Sequence, residues 1–140
     1  MLRRIVPDVV CAQSILALQD RERVVHAARA MADRRVGSVL VMHGPALVGI
    51  FTGTDLIGRV VAKGRSPART MLRTVMTPSP QTVAPGDLAI EALRLMHASG
   101  FRHLPVVEGD AVIGIVSRRD FLAEEEDEME RERRIWEQVR

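Results

Sequence analysis

Two stretches of the sequence set a hydroxyl and a carboxylate three residues apart, a few positions behind a glycine. They are Gly49-Ile50-Phe51-Thr52-Gly53-Thr54-Asp55 and Gly114-Ile115-Val116-Ser117-Arg118-Arg119-Asp120. Each begins in an apolar, β-rich run and turns polar, so each reads as a strand passing into a helix. Thr52 and Ser117 then fall near helix N-termini, whose free N–H groups and positive dipole end suit a phosphate or another anion. Gly49 and Gly114 are expected to end their strands, where a missing side chain lets a ligand approach the backbone. The same Thr/Ser-x-x-Asp spacing also makes an ordinary helix cap, close to a capping box. The two roles are compatible, since a capping hydroxyl can turn to a ligand. The surroundings of the two stretches differ. Arg102-His103 stands where the first stretch has Gly37-Ser38. Arg102 is a forked, permanently charged donor and His103 adds one more, so these two are candidate phosphate contacts. Arg118 and Arg119, on a first helical turn, read as solvated.

Other chemistries lack a pattern. His26, His43 and His97 have no metal-ligand spacing with one another. Cys11 is the single cysteine, which removes a disulfide framework or a cysteine-rich zinc site and leaves a buried, inert thiol as its expected role. No Ser-His-Asp signature, P-loop or Gly-x-Gly-x-x-Gly element occurs. The reading is therefore not an enzyme, with no metal and no required cofactor. Of the 140 residues, 46% are hydrophobic and 27% charged, with mean hydropathy near zero, which is the balance of one or two small folded domains. No apolar run reaches the roughly 20 residues needed to cross a bilayer, and the start has no signal-peptide core, so a cytoplasmic protein is expected. Three Phe, one Trp and no Tyr argue against a base-stacking platform for single-stranded nucleic acid.

The elements that position these residues occur twice. Displaced by 65 positions, residues 17–57 lie on residues 82–122 without a gap, pairing Ala27 with Ala92, Met31 with Met96, Val41 with Val106, Gly44 with Gly109, Gly49 with Gly114 and Asp55 with Asp120. Each copy opens with a helical apolar pattern, Val24, Val25, Ala27, Ala28 and Met31 in one and Leu88, Ala89, Ala92, Leu93, Leu95 and Met96 in the other. Pro85-Gly86-Asp87 reads as a turn and N-cap before the second of these helices. Hairpins follow, Val39–Met42 with Leu47–Phe51 and Leu104–Val107 with Ala111–Val116, and a helix is expected after each. Short strands are expected near Ser14–Leu18 and Gln81–Val83, and one short helix within Ala68–Met76. The unit is strand, helix, hairpin, helix, in an α/β (α+β) fold of two small sheets packed together with flanking helices. The boundaries are residues 1–66 for the first repeat with its N-terminal segment and connector, 67–123 for the second, and 124–140 for a charged helical tail.

In these features the sequence resembles a pair of cystathionine-β-synthase (CBS) domains, a Bateman module. The resemblance rests on Val48–Leu56 and Ile113–Phe121, on Val75-Met76-Thr77-Pro78 opening the second copy, and on Phe101–Val107; it covers about residues 8–123. The first copy departs at Asp8-Val9-Val10-Cys11, which lacks the Met-Thr-x-Pro form. The resemblance implies a regulatory module that binds AMP, ADP, ATP or S-adenosylmethionine in clefts between the copies and dimerises. It also implies a separate, unidentified regulated protein. Gly49, Thr52, Asp55, Gly114, Ser117 and Asp120 would then be nucleotide-binding, with Asp55 and Asp120 accepting hydrogen bonds from ribose hydroxyls. Arg102, His103 and the uncharged Ser38 would face phosphate, so one cleft is expected to be occupied rather than two. A module whose clefts bind no ligand and serve only assembly is the rival reading.

The tail is acidic early, Glu124-Glu125-Glu126-Asp127-Glu128, and basic late, Arg131, Arg133 and Arg134, as a helix dipole favours. Residues 124–140 carry a net −4 and the rest of the chain +6. Leu122, Met129 and Trp136 fall seven apart, too thin a stripe for a coiled coil, so a solvated helix over Phe121–Val139 is expected. An exposed Trp136 would signal a partner or dimer contact. The basic body alone is weak ground for nucleic-acid binding.

Overall fold

The computed structural model describes residues 2–10 and 15–139. Its elements are β1 (Ala17–Gln19), α1 (Val24–Arg34), β2 (Ser38–His43), β3 (Ala46–Thr52), α2 (Gly53–Asp55), which runs on into wider helical turns over Leu56–Val61, α3 (Leu72–Val75), β4 (Thr77–Pro78), α4 (Ala89–Ser99), β5 (His103–Glu108), β6 (Ala111–Ser117) and α5 (Ala123–Val139). The chain forms two compact units, Ser14–Pro80 and Met1–Gln13 with Gln81–Arg140. Cys11 and the start of the strand expected from Ser14 lie outside the described residues. No helix among those described is long and apolar enough to cross a membrane.

In the Ser14–Pro80 unit the sheet order is β1-β2-β3-β4, with β1 parallel to β2 and the remaining pairs antiparallel. Val24, Ala27 and Met31 recur on one face of α1 and are buried with Val39, Val41 and Phe51 of the hairpin and with Val60, Leu72 and Val75. In the other unit β5 and β6 form a two-stranded sheet. Ala92 and Met96 of α4 are buried there with Leu104, Val106, Val116, Val83, Ile5 and Val10.

The 65-residue displacement holds at the level of single contacts. Leu18 pairs in parallel with Val41, and Val83 with Val106. Both hairpins slip register at the same place, Val41/Met42 and Val106/Val107. Both turn on a glycine at positive φ, Gly44 at +58° and Gly109 at +60°, a conformation that tight hairpins require. Both first helices end on a left-handed residue, Arg35 in α1 and Gly100 in α4.

The segments that precede the repeats are exchanged. Leu72 N–H donates to Glu22 O and Val24 N–H to Thr70 O, so the stretch leading to the second repeat closes the unit of the first. Ile5 N–H donates to Asp87 O and Ala89 N–H to Arg3 O, so the stretch leading to the first repeat closes the unit of the second. The repeat boundary at 66/67 follows sequence similarity, whereas the contact units follow this exchange.

Several expected elements come out differently. The opening strand of the second copy is reduced to the single bridge at Val83. Within Ala68–Met76 only Leu72–Val75 is helical, because Thr70 O and Leu72 N–H are spent on the start of α1 and on Glu22. Asp87 is not the N-cap of α4: its Oδ2 accepts from Ala84 N–H and closes the turn, and Leu88 takes the cap position with Glu91 reaching back to its N–H. After β6 only a three-residue turn forms over Arg118–Asp120. Phe121 is extended (φ −89°, ψ 150°), so the charged helix starts afresh at Ala123 rather than at Phe121.

Candidate functional site

The two hydroxyl–carboxylate motifs sit at equivalent corners, one in each unit, where a hairpin strand passes into a helical turn. In the first, Ser38 and Thr52 are cross-strand partners at the hairpin's open end, and Gly53 N–H donates to Gly37 O. In the second, His103 and Ser117 hold those places, and Arg118 N–H donates to Arg102 O. The structure therefore brings Ser38, Thr52 and Asp55 together in one unit, and Arg102, His103, Ser117 and Asp120 together in the other.

Asp55 is buried and fully engaged. Its Oδ2 accepts from Thr52 N–H (3.0 Å) and Thr52 Oγ1 (3.1 Å), while its own N–H donates to Thr52 Oγ1 (3.3 Å), a complete capping box. Its Oδ1 lies 3.5 Å from Arg59 Nε one turn on. Arg59 also donates to Val75 O and Met76 O, which ties this corner to the segment that closes the unit. Asp120 is held more lightly. Its Oδ2 accepts from Ser117 N–H at 2.7 Å, and its Oδ1 has no hydrogen-bond partner among the described residues. The support here is a residue that sequence reasoning passed over: Arg3 donates from Nη2 to Asp120 O (3.2 Å) and to Glu125 Oε1 (2.6 Å). Arg59 was findable as an i+4 partner of Asp55, but nothing local links Arg3 to a residue 117 positions away.

Arg102 is exposed and His103 half-buried at the mouth of the second corner. Burial, then the charge of Arg119 and that of Arg102, hold the His103 pKa below the ordinary 6.5, with Asp120 pulling the other way. His103 is thus a neutral donor or acceptor at pH 7. Arg118 is turned away: Nε and Nη2 grip both oxygens of Glu126 (2.9 and 3.2 Å), and Nη2 also meets His97 Nε2 at 2.8 Å. Arg119 is exposed. His26 and His43 pair with Glu22 and Asp20, and no cluster of metal-ligating side chains occurs among the described residues.

The glycines are not where the motif reading put them. Gly49 and Gly114 lie three residues inside β3 and β6, paired with Val41 and Val106, not at strand ends. A Cβ at Gly49 would overlap Met76 Sδ and come 3.0 Å from Thr77 O, so the missing side chain admits the neighbouring strand β4.

The CBS domain family matches residues 7–62 and 72–127. The CBS domain-containing protein CBSCBSPB2 of Arabidopsis thaliana is 44% identical over 102 residues, covering 72% of this chain and 19% of that protein. The chain spans about a fifth of the length of the plant relatives it matches. Among solved structures, a CBS-domain protein from Burkholderia ambifaria is 31% identical with a TM-score of 0.78, over 82% of this chain and 88% of that one. A CBS domain protein from Pyrobaculum aerophilum, complexed with AMP, has a TM-score of 0.75 at 22% identity, over 84% and 92% of the two chains.

Proposed function

Since the chain belongs to the CBS-domain family and carries two copies, we propose that it is a regulatory module that binds an adenine nucleotide and modulates a separate protein. The observation that carries this reading is the second corner, which brings together Ser117 and its cross-strand partner His103, Arg102 beside them, and a carboxylate oxygen of Asp120 that has no hydrogen-bond partner among the described residues. A carboxylate oxygen suits a ribose diol, whereas Arg102, His103 and the Ser117 hydroxyl suit phosphate. AMP in a relative of the same fold supports this choice of ligand class.

The first corner carries Ser38 in place of the two donors, and its Asp55 is occupied on both oxygens. The second corner is therefore the tighter site, and one nucleotide binds per chain before any second. In this reading the nucleotide is held as a signal rather than turned over. Ligand shifts the module between two arrangements only in so far as it binds them unequally, and that difference is what a partner protein reads.

Calorimetric titration with AMP, ADP, ATP and S-adenosylmethionine, repeated on Asp120→Ala and Asp55→Ala, tests this. The expected result is saturable binding near one equivalent, lost in Asp120→Ala and largely kept in Asp55→Ala. Flat titrations with all four ligands would replace this reading with a ligand-free assembly module.

A further inference from the structure

Charge is divided unequally between the two units. Residues 1–13 and 81–123 hold six basic and six acidic side chains, so the whole +6 excess of the body falls within Ser14–Pro80. Part of it gathers at the N-terminal end of α1. Leu72 N–H donates to Glu22 O, Arg73 N–H to Asp20 O and Val24 N–H to Thr70 O, and Arg23 forms an antiparallel bridge with Met71. The connector thus lies along the entry to the helix and places Arg69 and Arg73 beside Arg21 and Arg23. Arg21, Arg69 and Arg73 are exposed, and Arg23 is half-buried with its Nη1 donating to Arg69 O at 3.0 Å. None of the four makes an ion pair among the described residues. The acids interleaved with them, Asp20 and Glu22, pair instead with His43 and His26. Helix α1 has no acid in its first turn and no side-chain cap, so its positive dipole end adds to the four charges. Like charge left uncompensated is a local cost, and such costs concentrate at functional sites.

We infer that this edge docks an acidic peptide segment of the protein that the module regulates. Arginine suits the task, since its planar fork takes a carboxylate with two parallel hydrogen bonds and keeps its charge at every physiological pH. Half-buried Pro67 and Met71 lie among the cations and offer apolar contact to the side chains of a peptide. A nucleic acid fits the edge less well. No aromatic residue occurs in Asp20–Arg23 or Pro67–Arg73 on which a base could stack, and Asp20 and Glu22 would repel a continuous phosphate backbone. The inference rests on the reading that the chain acts on a separate protein, but not on the nucleotide. Asp20 N–H donates to Met42 O at the far end of β2 from Ser38, about 17 Å of strand from the first motif corner.

The experiment measures fluorescence anisotropy of a fluorescein-labelled peptide of alternating Glu and Ala, with the Gln-Ala peptide and a short DNA duplex as comparisons. Saturable binding of the Glu peptide at low salt, and none of the Gln peptide, is expected. Arg21→Glu/Arg73→Glu should weaken that binding about tenfold or more. Arg29→Glu/Arg35→Glu makes the same change in net charge on exposed arginines further along the helix and just past its end. It should weaken binding by less than about threefold, because charges beyond a Debye length are screened. Circular dichroism checks that both variants fold, and AMP titration of both keeps the two readings apart: the Arg21/Arg73 variant should lose the peptide and keep whatever nucleotide binding the wild type has. Equal losses in the two variants would show net charge alone at work, and a duplex bound more tightly than the peptide would make the edge a nucleic-acid surface. Either result would overturn the inference, as would a wild type that binds no peptide.

Discussion

A methyl group is tolerated at one glycine of the first motif and not at another, and the difference separates packing from binding. Gly49→Ala would drive a Cβ into Met76 and against the carbonyl of Thr77, whereas Gly53 has no atom within 4 Å of the corresponding position and begins a helix. Overpacking of this kind costs about 1–3 kcal/mol, while removing a glycine from a helix returns up to about 1 kcal/mol. Urea denaturation should therefore show Gly49→Ala clearly destabilised and Gly53→Ala unchanged or slightly more stable; equal effects would mean that β4 is not held against Gly49. His103 makes the second residue-scale prediction. Its pKa is lowered by burial and by Arg119 and Arg102, so the free protein carries it neutral at pH 7. A phosphate beside it favours the charged imidazolium, so nucleotide binding should take up a proton and tighten as pH falls from 8 to 6. Calorimetry in buffers of different ionisation enthalpy measures that uptake, and His103→Gln should abolish it.

At the scale of the element, α5 shows why part of the fold was legible and part was not. Its charge order, acids first and arginines last, announces a helix in the sequence, and the helix is there. What composition could not show is that the early acids have partners elsewhere in the same unit: Glu125 with Arg3, Glu126 with Arg118 and His97, Glu132 with Arg94. The expected solvated helix is instead docked through its first half, with Met129 buried. The break before it was equally hidden, because Ser117-x-x-Asp120 caps a turn as well as a long helix, and only tertiary packing leaves Phe121 extended. The docking has a pH signature. Burial would raise the Glu125 carboxyl, but Arg3 and the Leu122 N–H outweigh it, and hydrogen bonds from Arg118 and Arg94 lower Glu126 and Glu132. All three stay ionised in the folded protein below the ordinary 4.5. Their contribution is complete above that pH and is lost as pH falls through the lowered values, because the undocked carboxylates bind protons first. Amide hydrogen exchange should accordingly show α5 losing protection below about pH 4 ahead of α4, and Arg3→Gln should move that loss to higher pH. Simultaneous loss in both helices would show that α5 is not a separate docking event.

For the whole molecule, the exchange of entry segments decides which residues stabilise which unit. The repeat was legible because its copies keep one displacement, and the hairpins, first helices and motif corners all obey it. The entry segments escaped because they superpose at a displacement of 67 rather than 65, and because each closes the unit built from the other repeat: Leu72 with Glu22, Ile5 with Asp87. Asp8-Val9-Val10-Cys11 departs from the Met-Thr-x-Pro form, yet Ile5 and Val10 fill the core beneath β5 and β6 much as Leu72 and Val75 fill the one beneath β2 and β3. Truncating a fully buried isoleucine or leucine to alanine costs about 2–5 kcal/mol, and here the loss should appear far away in sequence. Ile5→Ala should raise hydrogen exchange in His103–Glu108 and Ala111–Ser117 while sparing Ser38–His43 and Ala46–Thr52. Leu72→Ala should do the reverse. The pair is diagnostic because a chain in which each repeat folded with its own entry segment would give the opposite pattern, with Ile5→Ala loosening β2 and β3. The exchange also links the termini of the motifs to stability: Arg3, next to Ile5, carries the hydrogen bond to Asp120 O, so the Ile5→Ala variant should weaken nucleotide binding at the second corner more than Leu72→Ala does.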